Sequence, residues 1–446
     1  MKVKNAWLCQ IENRSVKPIF CDFTIEEGKN KNIFERNFNE FTELEYDIID
    51  SDCYDVQGAV ITVPNVNFHD HIYSRLAKGL PLNGPMDNFQ NILKNLWWKL
   101  DLALDKDMIV ASAHMAAYES ILNGVQYIFD HHASPGVTEG SLECIKSVLR
   151  EYGLKGVLAF ETSDRNGDKL KQDALLENNS FLVDYCDDDF KGMYGLHASF
   201  TLNNDTLRHV EKYIKGSEIG IHIHLSEDES DNIISKDKYG ARPLERLINY
   251  NLVNDRSILS HAVYLNKDDY ELLDNYKCAI VFNPDSNMNN SVGFPCISEF
   301  SENQMFLLGT DGMHANVAKS MKQLFLMLRC NGKSFEESFR LINRVYFDQI
   351  EFIKKYYPHY SNLKENDSAD FIVWDYVPPT PLTEDNFMGH YLYGIIERSV
   401  KSSISGGEFL MNNFRTKVPD MELFSKQIYK AGNSLYEILK SNQALL

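Results

Sequence analysis

The stretch Val63-Pro64-Asn65-Val66-Asn67-Phe68-His69-Asp70-His71 reads as a β-strand that ends in a clamp for a metal ion. Residues two apart leave a strand by the same face, so His69 and His71 point together while Asp70 points away. Taken alone, His-x-His is as readily a pair of unrelated surface histidines. What decides between the readings is whether other strand ends complete a site. The run 59–69 is the first of eight short apolar runs, the others covering 125–132, 156–162, 193–199, 219–226, 258–263, 279–286 and 305–312. Between them lie segments with helical apolar spacing, such as Leu142, Ile145, Val148, Leu149 and Tyr152. Eight buried strands alternating with helices predict an α/β protein built as a (β/α)8 TIM-like barrel.

The ends of these runs support the same architecture. They carry His69/His71, His131/His132, Glu161, His197, His224/Glu227, His261, Asn283 and Asp311. In a (β/α)8 barrel the C-terminal strand ends form the active-site face. A doubly wound open sheet shares the rhythm but draws its ligand site from fewer strands.

Flanking the expected barrel (58–368) are two β-rich stretches, 1–57 and 369–415, which predict a small discontinuous β-domain built from the N- and C-terminal regions. A C-terminal helix is expected over 416–446, with Phe424, Ile428, Ala431, Leu435, Ile438 and Leu439 on one face. The stripe Met321, Leu324, Phe325 and Leu328 reads as core.

Composition narrows the class of protein. With 446 residues, 43% hydrophobic and 24% charged, the chain is that of an ordinary globular protein. A net charge of −19 opposes phosphate backbones and anionic lipid surfaces, so neither nucleic acid nor a membrane is an expected partner. There is no secretory h-region and no run of ~18 apolar residues, which makes the cytoplasm the expected location. The eight cysteines lack any C-x-x-C spacing and read as reduced thiols, so a metal would be held by nitrogen and oxygen ligands. On oligomeric state the sequence is silent, a homodimer being one option.

In Ile221-His222-Ile223-His224-Leu225-Ser226-Glu227, His222 and His224 share a strand face, and either can be a ligand. His224 lies nearer the open strand end, whereas His222 sits a layer deeper, where a packed core histidine is the plainer reading. Glu227, three residues on, is placed to reach a metal-bound water without binding the metal, as a general base does. Asp311 can serve as a carboxylate ligand or as a proton acceptor. Three histidines and an aspartate around an open position match catalytic rather than structural zinc coordination. His197 and His261 each admit a packing and a chemical reading.

The ordered set His-x-His, Gly-Leu-His-Ala-Ser-Phe-Thr, His-Leu-Ser-Glu, Ser-His-Ala, Asn-Pro-x-Ser-Asn-Met and Gly-Thr-Asp-Gly resembles the aminohydrolase and chlorohydrolase branch of the amidohydrolase superfamily. More narrowly, Asn95-Leu-Trp-Trp-Lys-Leu-Asp, Asp130-His-His-Ala-Ser-Pro, Phe160-Glu-Thr-Ser-Asp-Arg-Asn and Pro381-Leu-Thr-Glu-Asp-Asn resemble the SsnA-type aminohydrolases. The resemblance implies that His69, His71, His224 and Asp311 bind one divalent metal ion, zinc first and iron as the alternative. It implies proton transfer by Glu227, His261 and Asp311, and substrate contact by His197. His131, His132 and Arg165 resemble residues near such sites, where they bind a polar heterocycle or support the packing. Trp97 and Trp98 either cap the site or bury a helix, while Ser286, Asn287 and Asn289 read as a turn able to orient a substrate, with no chemistry assigned to them.

The implied activity is hydrolytic deamination of a small-molecule nitrogen heterocycle such as a purine, pyrimidine or pteridine. Hydrolysis of a cyclic amidine or amide or of a C–Cl bond is the neighbouring alternative. A non-catalytic accessory role in a selenium-dependent hydroxylase system is the alternative of another class. Two departures from the family pattern stand out: the approach to the first strand is Pro64-Asn65 where Pro-Gly is usual, and Ala315, preceded by His314, stands where many relatives carry Ser.

Overall fold

The chain opens with β1 (Lys2–Glu12), β2 (Ser15–Glu26), β3 (Lys29–Glu35) and β4 (Cys53–Asp55). The run expected as one strand over 59–69 then divides into β5 (Val60–Thr62) and β6 (Asn65–Asp70). Pro64 lies in the break, and proline has no N–H to contribute to a ladder. Next come β7 (Val125–His132), β8 (Lys155–Phe160), β9 (Phe190–Gly192), β10 (Tyr194–Ala198), β11 (Ile221–Leu225), β12 (Ile258–His261), β13 (Ala279–Phe282) and β14 (Met305–Leu308). The last four are β15 (Phe371–Trp374), β16 (Val400–Ser405), β17 (Glu408–Asn412) and β18 (Arg415–Thr416). This computed structural model describes residues 1–38, 53–81, 84–297, 300–417 and 421–443. The parts of the expected β-domain and C-terminal helix at 39–52, 418–420 and 444–446 lie outside the described residues.

The chain divides into two compact units, one of residues 1–66, 118–126 and 316–418, the other of 67–117, 127–315 and 419–446. The first unit holds a nine-stranded sheet in the order β18-β17-β16-β15-β5-β1-β2-β3, with β4 paired to β1. N-terminal and C-terminal strands thus share one sheet, as the discontinuous β-domain requires. They meet in the antiparallel pair β5–β15, where the Trp374 indole N–H donates to Thr62 Oγ1 at 2.8 Å. The unusual Pro64-Asn65 approach is held at three points: Tyr360 Oη donates to Pro64 O at 2.5 Å, Asn65 N to Gly124 O at 3.0 Å, and Asn65 Nδ2 to Asn123 O at 2.9 Å. Met321, Leu324, Phe325 and Leu328 are all buried, in keeping with a core stripe.

The second unit contains the barrel. Its strands form two sheets, β6-β7-β8-β9 and β10-β11-β12-β13-β14. Parallel bridges Thr162↔Leu196 and Asp70↔Asp311 join them at both seams and close a ring of eight, with β9 as a short addition beside β8. Strands β7 and β10 to β13 are buried along their whole length, which is why their sequences read as near-continuous apolar runs. In the helix Met421–Gln443, Ala431, Leu435 and Leu439 are buried, but Ile438, expected on the same face, is 37% exposed.

At the β8–β10 seam the Asn178 side chain stands in for part of the ladder. Its Oδ1 accepts from Phe160 N at 3.0 Å and Gly195 N at 3.2 Å, and its Nδ2 donates to Phe160 O at 2.8 Å. A Cβ on Gly195 would lie 2.2 Å from the Phe160 carbonyl oxygen, a backbone atom that cannot swing aside. Gly195→Ala is therefore expected to destabilise the fold by about 3 kcal/mol, the upper end of ordinary overpacking. The change would be read as a lower urea midpoint at unchanged slope; an unaltered midpoint would show that the seam yields.

Candidate active site

Three strand-end residues leave the extended conformation through the left-handed region: Ser226 (φ 45°), His261 (φ 70°) and Asp311 (φ 53°). Each such non-glycine turn costs on the order of 1 kcal/mol or more and persists where the surroundings impose it. Gly309, just before Asp311, has no room for a side chain, because a Cβ there would meet Asn283 Oδ1 at 2.5 Å and His69 Cβ at 2.7 Å. The close approach of β14 to β6 brings Asp311 against the His69-x-His71 pair.

The hydrogen bonds of the histidines define which nitrogen faces which partner. His71 Nδ1 donates to His131 O at 2.7 Å, and His224 Nδ1 donates to His197 O at 2.9 Å. A carbonyl only accepts, so in the neutral rings both protons sit on Nδ1 and both Nε2 atoms carry lone pairs. Those two Nε2 atoms face each other at 3.1 Å. Asp311 Oδ1 lies 2.9 Å from His71 Nε2 and 3.5 Å from His69 Nε2. His69 Nε2 is buried and has no hydrogen-bond partner among the described residues. Its Nδ1 pairs with His222 Nε2 at 2.8 Å, so His222 is the deeper core histidine that holds a ligand-type ring in place.

Lone pairs converging on one another and on a carboxylate repel unless a cation lies among them. Burial pushes the His71 imidazole toward the neutral form, yet the adjoining Asp311 outweighs it and raises His71 to about 9, so a shared proton relieves the repulsion in the metal-free protein. A divalent metal among these donors would do the same; His69, His224, His261 and Asp311, and separately His71, His131 and His224, each bring their ligand atoms within 4.8 Å of one another. Tetrahedral coordination at 2.0–2.1 Å spaces neighbouring donors by ~3.3 Å, and the distances of 2.9, 3.1 and 3.5 Å bracket that value. The residues fit a metal ion.

Beside this cluster stand the groups that can move protons. Burial, followed by the charge of Asp311, raises Glu227 well above the ordinary carboxyl range. Asp311 is held well below that range: burial opposes its charge, but the His69 and His71 imidazoles beside it prevail. His261 Nδ1 donates to Asn287 Oδ1 at 2.8 Å, which leaves Nε2 as its basic nitrogen, 3.6 Å from Glu227 Oε2 and 3.7 Å from Asp311 Oδ2.

A cavity opens above these groups, lined at one end by His71, His224, Glu227 and Asp311 and walled by Phe89, Leu93, Trp97, Trp98 and Phe200. Both tryptophans therefore face the cavity. His197 also lines it; its Nδ1 donates to Thr201 Oγ1 at 2.8 Å, and burial lowers the ring to about 3, so it presents a neutral acceptor nitrogen. Arg165 reaches the same wall but is paired with Glu161 and Asp101, under the face of Trp98 at 5.5 Å. One guanidinium serves two buried carboxylates here. Burial opposes ionisation of both; the neighbouring His197 imidazole and the Arg165 guanidinium bring Glu161 down to about 2, while Asp101 stays raised at about 7.

His131 is fully buried and is not among the cavity-lining residues; it faces Glu161 at 3.8 Å and donates through Nε2 to Leu196 O at 3.0 Å. His132 turns away to Ser134 Oγ at 2.8 Å. At the second departure, Ala315 is buried and the preceding His314 lies 3.3 Å from Asp285 Oδ1.

Sequence reasoning overlooked Asp101, Asp231 and Asn290, which line the cavity. It also left Ser286 and Asn287 without a role, although Ser286 Oγ donates to Asp311 Oδ2 at 2.5 Å and Asn287 holds His261. Asp101 is 64 residues from its partner Arg165, and no local pattern marks such a pair.

With this geometry in view, comparison with known proteins is informative. The sequence model of the amidohydrolase family matches residues 65–410. The chain belongs to this family. The amidohydrolase is 24% identical to the 5'-deoxyadenosine deaminase of Methanobrevibacter smithii, over 90% of this chain and 93% of that one. Its fold is shared with a zinc-bound adenosine deaminase from Xanthomonas campestris (TM-score 0.78, 13% identity, 97% and 98% of the two chains). The zinc complex of atrazine chlorohydrolase TrzN from Arthrobacter aurescens is equally similar in fold (TM-score 0.80, 17% identity, 97% and 99%). Both the barrel and the aminohydrolase and chlorohydrolase kinship expected from the sequence hold. Among the described residues, no helix is long and apolar enough to cross a membrane.

Proposed function

We propose that this amidohydrolase is a metal-dependent aminohydrolase that releases ammonia from a nitrogen heterocycle of the purine, pyrimidine or pteridine kind. His69, His71, His224 and Asp311 would hold one zinc ion. The observation that carries the reading is that the Glu227 and Asp311 carboxyl groups both approach His261 Nε2, beside histidine nitrogens whose lone pairs converge. Zinc bound there supplies Lewis acidity and activates a water as nucleophile.

The chain's own residues do the rest. Asp311 takes up the proton that the nucleophile loses. Glu227 delivers its proton to the ring nitrogen beside the attacked carbon, which makes that carbon electrophilic. His261 Nε2, which carries no proton at rest, relays the proton taken up by Asp311 to the departing amine, and the hydroxyl proton released as the carbonyl forms returns to Glu227. His197 accepts a hydrogen bond from a substrate N–H, and Trp98 and Phe200 pack against the heterocycle, with Arg165 fixing the wall behind Trp98. His131 supports Glu161 from beneath.

The relatives' names make 5'-deoxyadenosine and 5-methylthioadenosine the first probes. Zinc content is measured on the purified protein, followed by ammonia release from these two and from a panel of aminopurines, aminopyrimidines and aminopteridines. One zinc per chain and ammonia from at least one compound are expected. A zinc-loaded protein that releases ammonia from none of them would overturn the deaminase reading.

A further inference from the structure

Glu227, His261 and Asp311 stand at the ends of three different strands, yet each is met by a side chain from one short segment, the helix Pro284–Asn289 and its C-cap Asn290. Ser286 Oγ donates to Asp311 Oδ2 at 2.5 Å. Asn287 Oδ1 accepts from His261 Nδ1 at 2.8 Å. Asn290 hydrogen-bonds Glu227, and its Nδ2 lies 3.3 Å from Ser286 Oγ, which links the contacts into one network.

The segment is stiff. Pro284 occupies its first helical position, and residues 284–287 are buried. Asn287 N donates to Asn283 O at 2.9 Å, Asn290 N to Ser286 O at 2.8 Å, and Val292 N to Asn287 O at 3.1 Å.

Satisfying buried polar groups would account for the existence of such bonds, but not for their selectivity. Asp311 has one oxygen facing His71 at 2.9 Å and the other engaged by Ser286, so its two oxygens are set apart in role. The Asn287 oxygen fixes one tautomer of His261 and leaves Nε2 toward Glu227 and Asp311.

We propose that this single turn is the positioning element of the reaction: Ser286, Asn287 and Asn290 set which oxygen, which ring nitrogen and which carboxyl face the three proton-handling groups present to substrate. The proposal rests on the deaminase reading for its kinetic arm only.

The test compares zinc-loaded Asn287→Leu, which removes the acceptor, with Asn287→Asp, which keeps one. Histidine-¹⁵N spectra report the His261 tautomer, its signal identified by its loss in His261→Gln. Asn287→Leu is expected to keep its zinc and lose the Nδ1–H signature. Its kcat should fall about a hundredfold with KM little changed, the penalty of a misplaced group; Asn287→Asp restores the signature and most of the rate. Identical His261 signatures in the parent and Asn287→Leu, or equal rates in the Leu and Asp variants, would overturn the proposal. Should Asn287→Leu fail to fold, Ser286→Ala and Ser286→Thr supply the same comparison, since Thr keeps the hydroxyl donor to Asp311: a lower kcat rescued by Thr supports positioning, and no difference overturns it. If the parent deaminates nothing in the panel, the functional reading fails while the ¹⁵N comparison still decides the positioning.

Discussion

Glu227→Gln is expected to lower kcat by about a thousandfold, within the range that a positioned proton donor contributes, while zinc content stays at the parental level. Gln has the same shape and hydrogen-bonding reach but no proton to give up. Glu227 sits 3.6 Å from His261 and is outside the converging nitrogens, so its loss should not release the metal.

Stability should move in the opposite direction from activity. Burial and Asp311 raise the folded-state pKa of Glu227 well above the ordinary carboxyl value of 4.5. The unfolded chain releases this proton as pH climbs past that value, whereas the folded chain retains it up to the raised pKa. Folding therefore takes up a proton across that window, and the contribution of Glu227 to stability declines as pH rises through it. Gln has no such dependence, so the metal-free variant should unfold at a temperature equal to or above the parent's near neutral pH. A variant that keeps full rate, or one whose lost rate follows lost zinc, would remove Glu227 from the mechanism.

The second large effect is that of the metal itself. Dialysis against a chelator is expected to lower turnover at least a thousandfold, because Lewis-acid stabilisation of several kcal/mol disappears and ~4 kcal/mol corresponds to three powers of ten. The same treatment should lower the unfolding midpoint. A ligand at a hundred times its Kd stabilises the native state by ~2.7 kcal/mol, and without a cation the His71 and His224 nitrogens face each other at 3.1 Å beside Asp311. Returning zinc should restore both properties in the parent and neither in His224→Ala. Chelated protein with undiminished turnover or an unmoved midpoint would contradict the assignment of these residues as ligands.

Much of this was legible along the chain, for reasons that can be named. Strand periodicity of two put His69 and His71 on one side and Asp70 on the other, where Asp70 is in fact bound by Arg75 Nη2 at 2.7 Å and Asn67 Nδ2 at 2.8 Å. The reading of one strand over 59–69 missed the interruption at Val63-Pro64, because an apolar run does not say which sheet each half joins. Ile438 matched the helical period but is exposed, since the period marks a face and not how far the neighbouring surface extends.

The amino-acid order alone determined the alternation of eight buried strands with helices and the candidate ligands at their ends, because both follow from local periodicity and from the distinctive chemistry of His, Asp and Glu. Only the tertiary structure decided the protonation pattern. The carbonyls that orient His71 and His224 belong to His131 and His197, 60 and 27 residues away. The side chains that meet Asp311, His261 and Glu227 come from a turn that read as a substrate-orienting one, with no sign that it contacts these three groups. A hydrogen bond between distant residues leaves no period in the sequence, and a pKa depends on burial and on charges that only folding brings together.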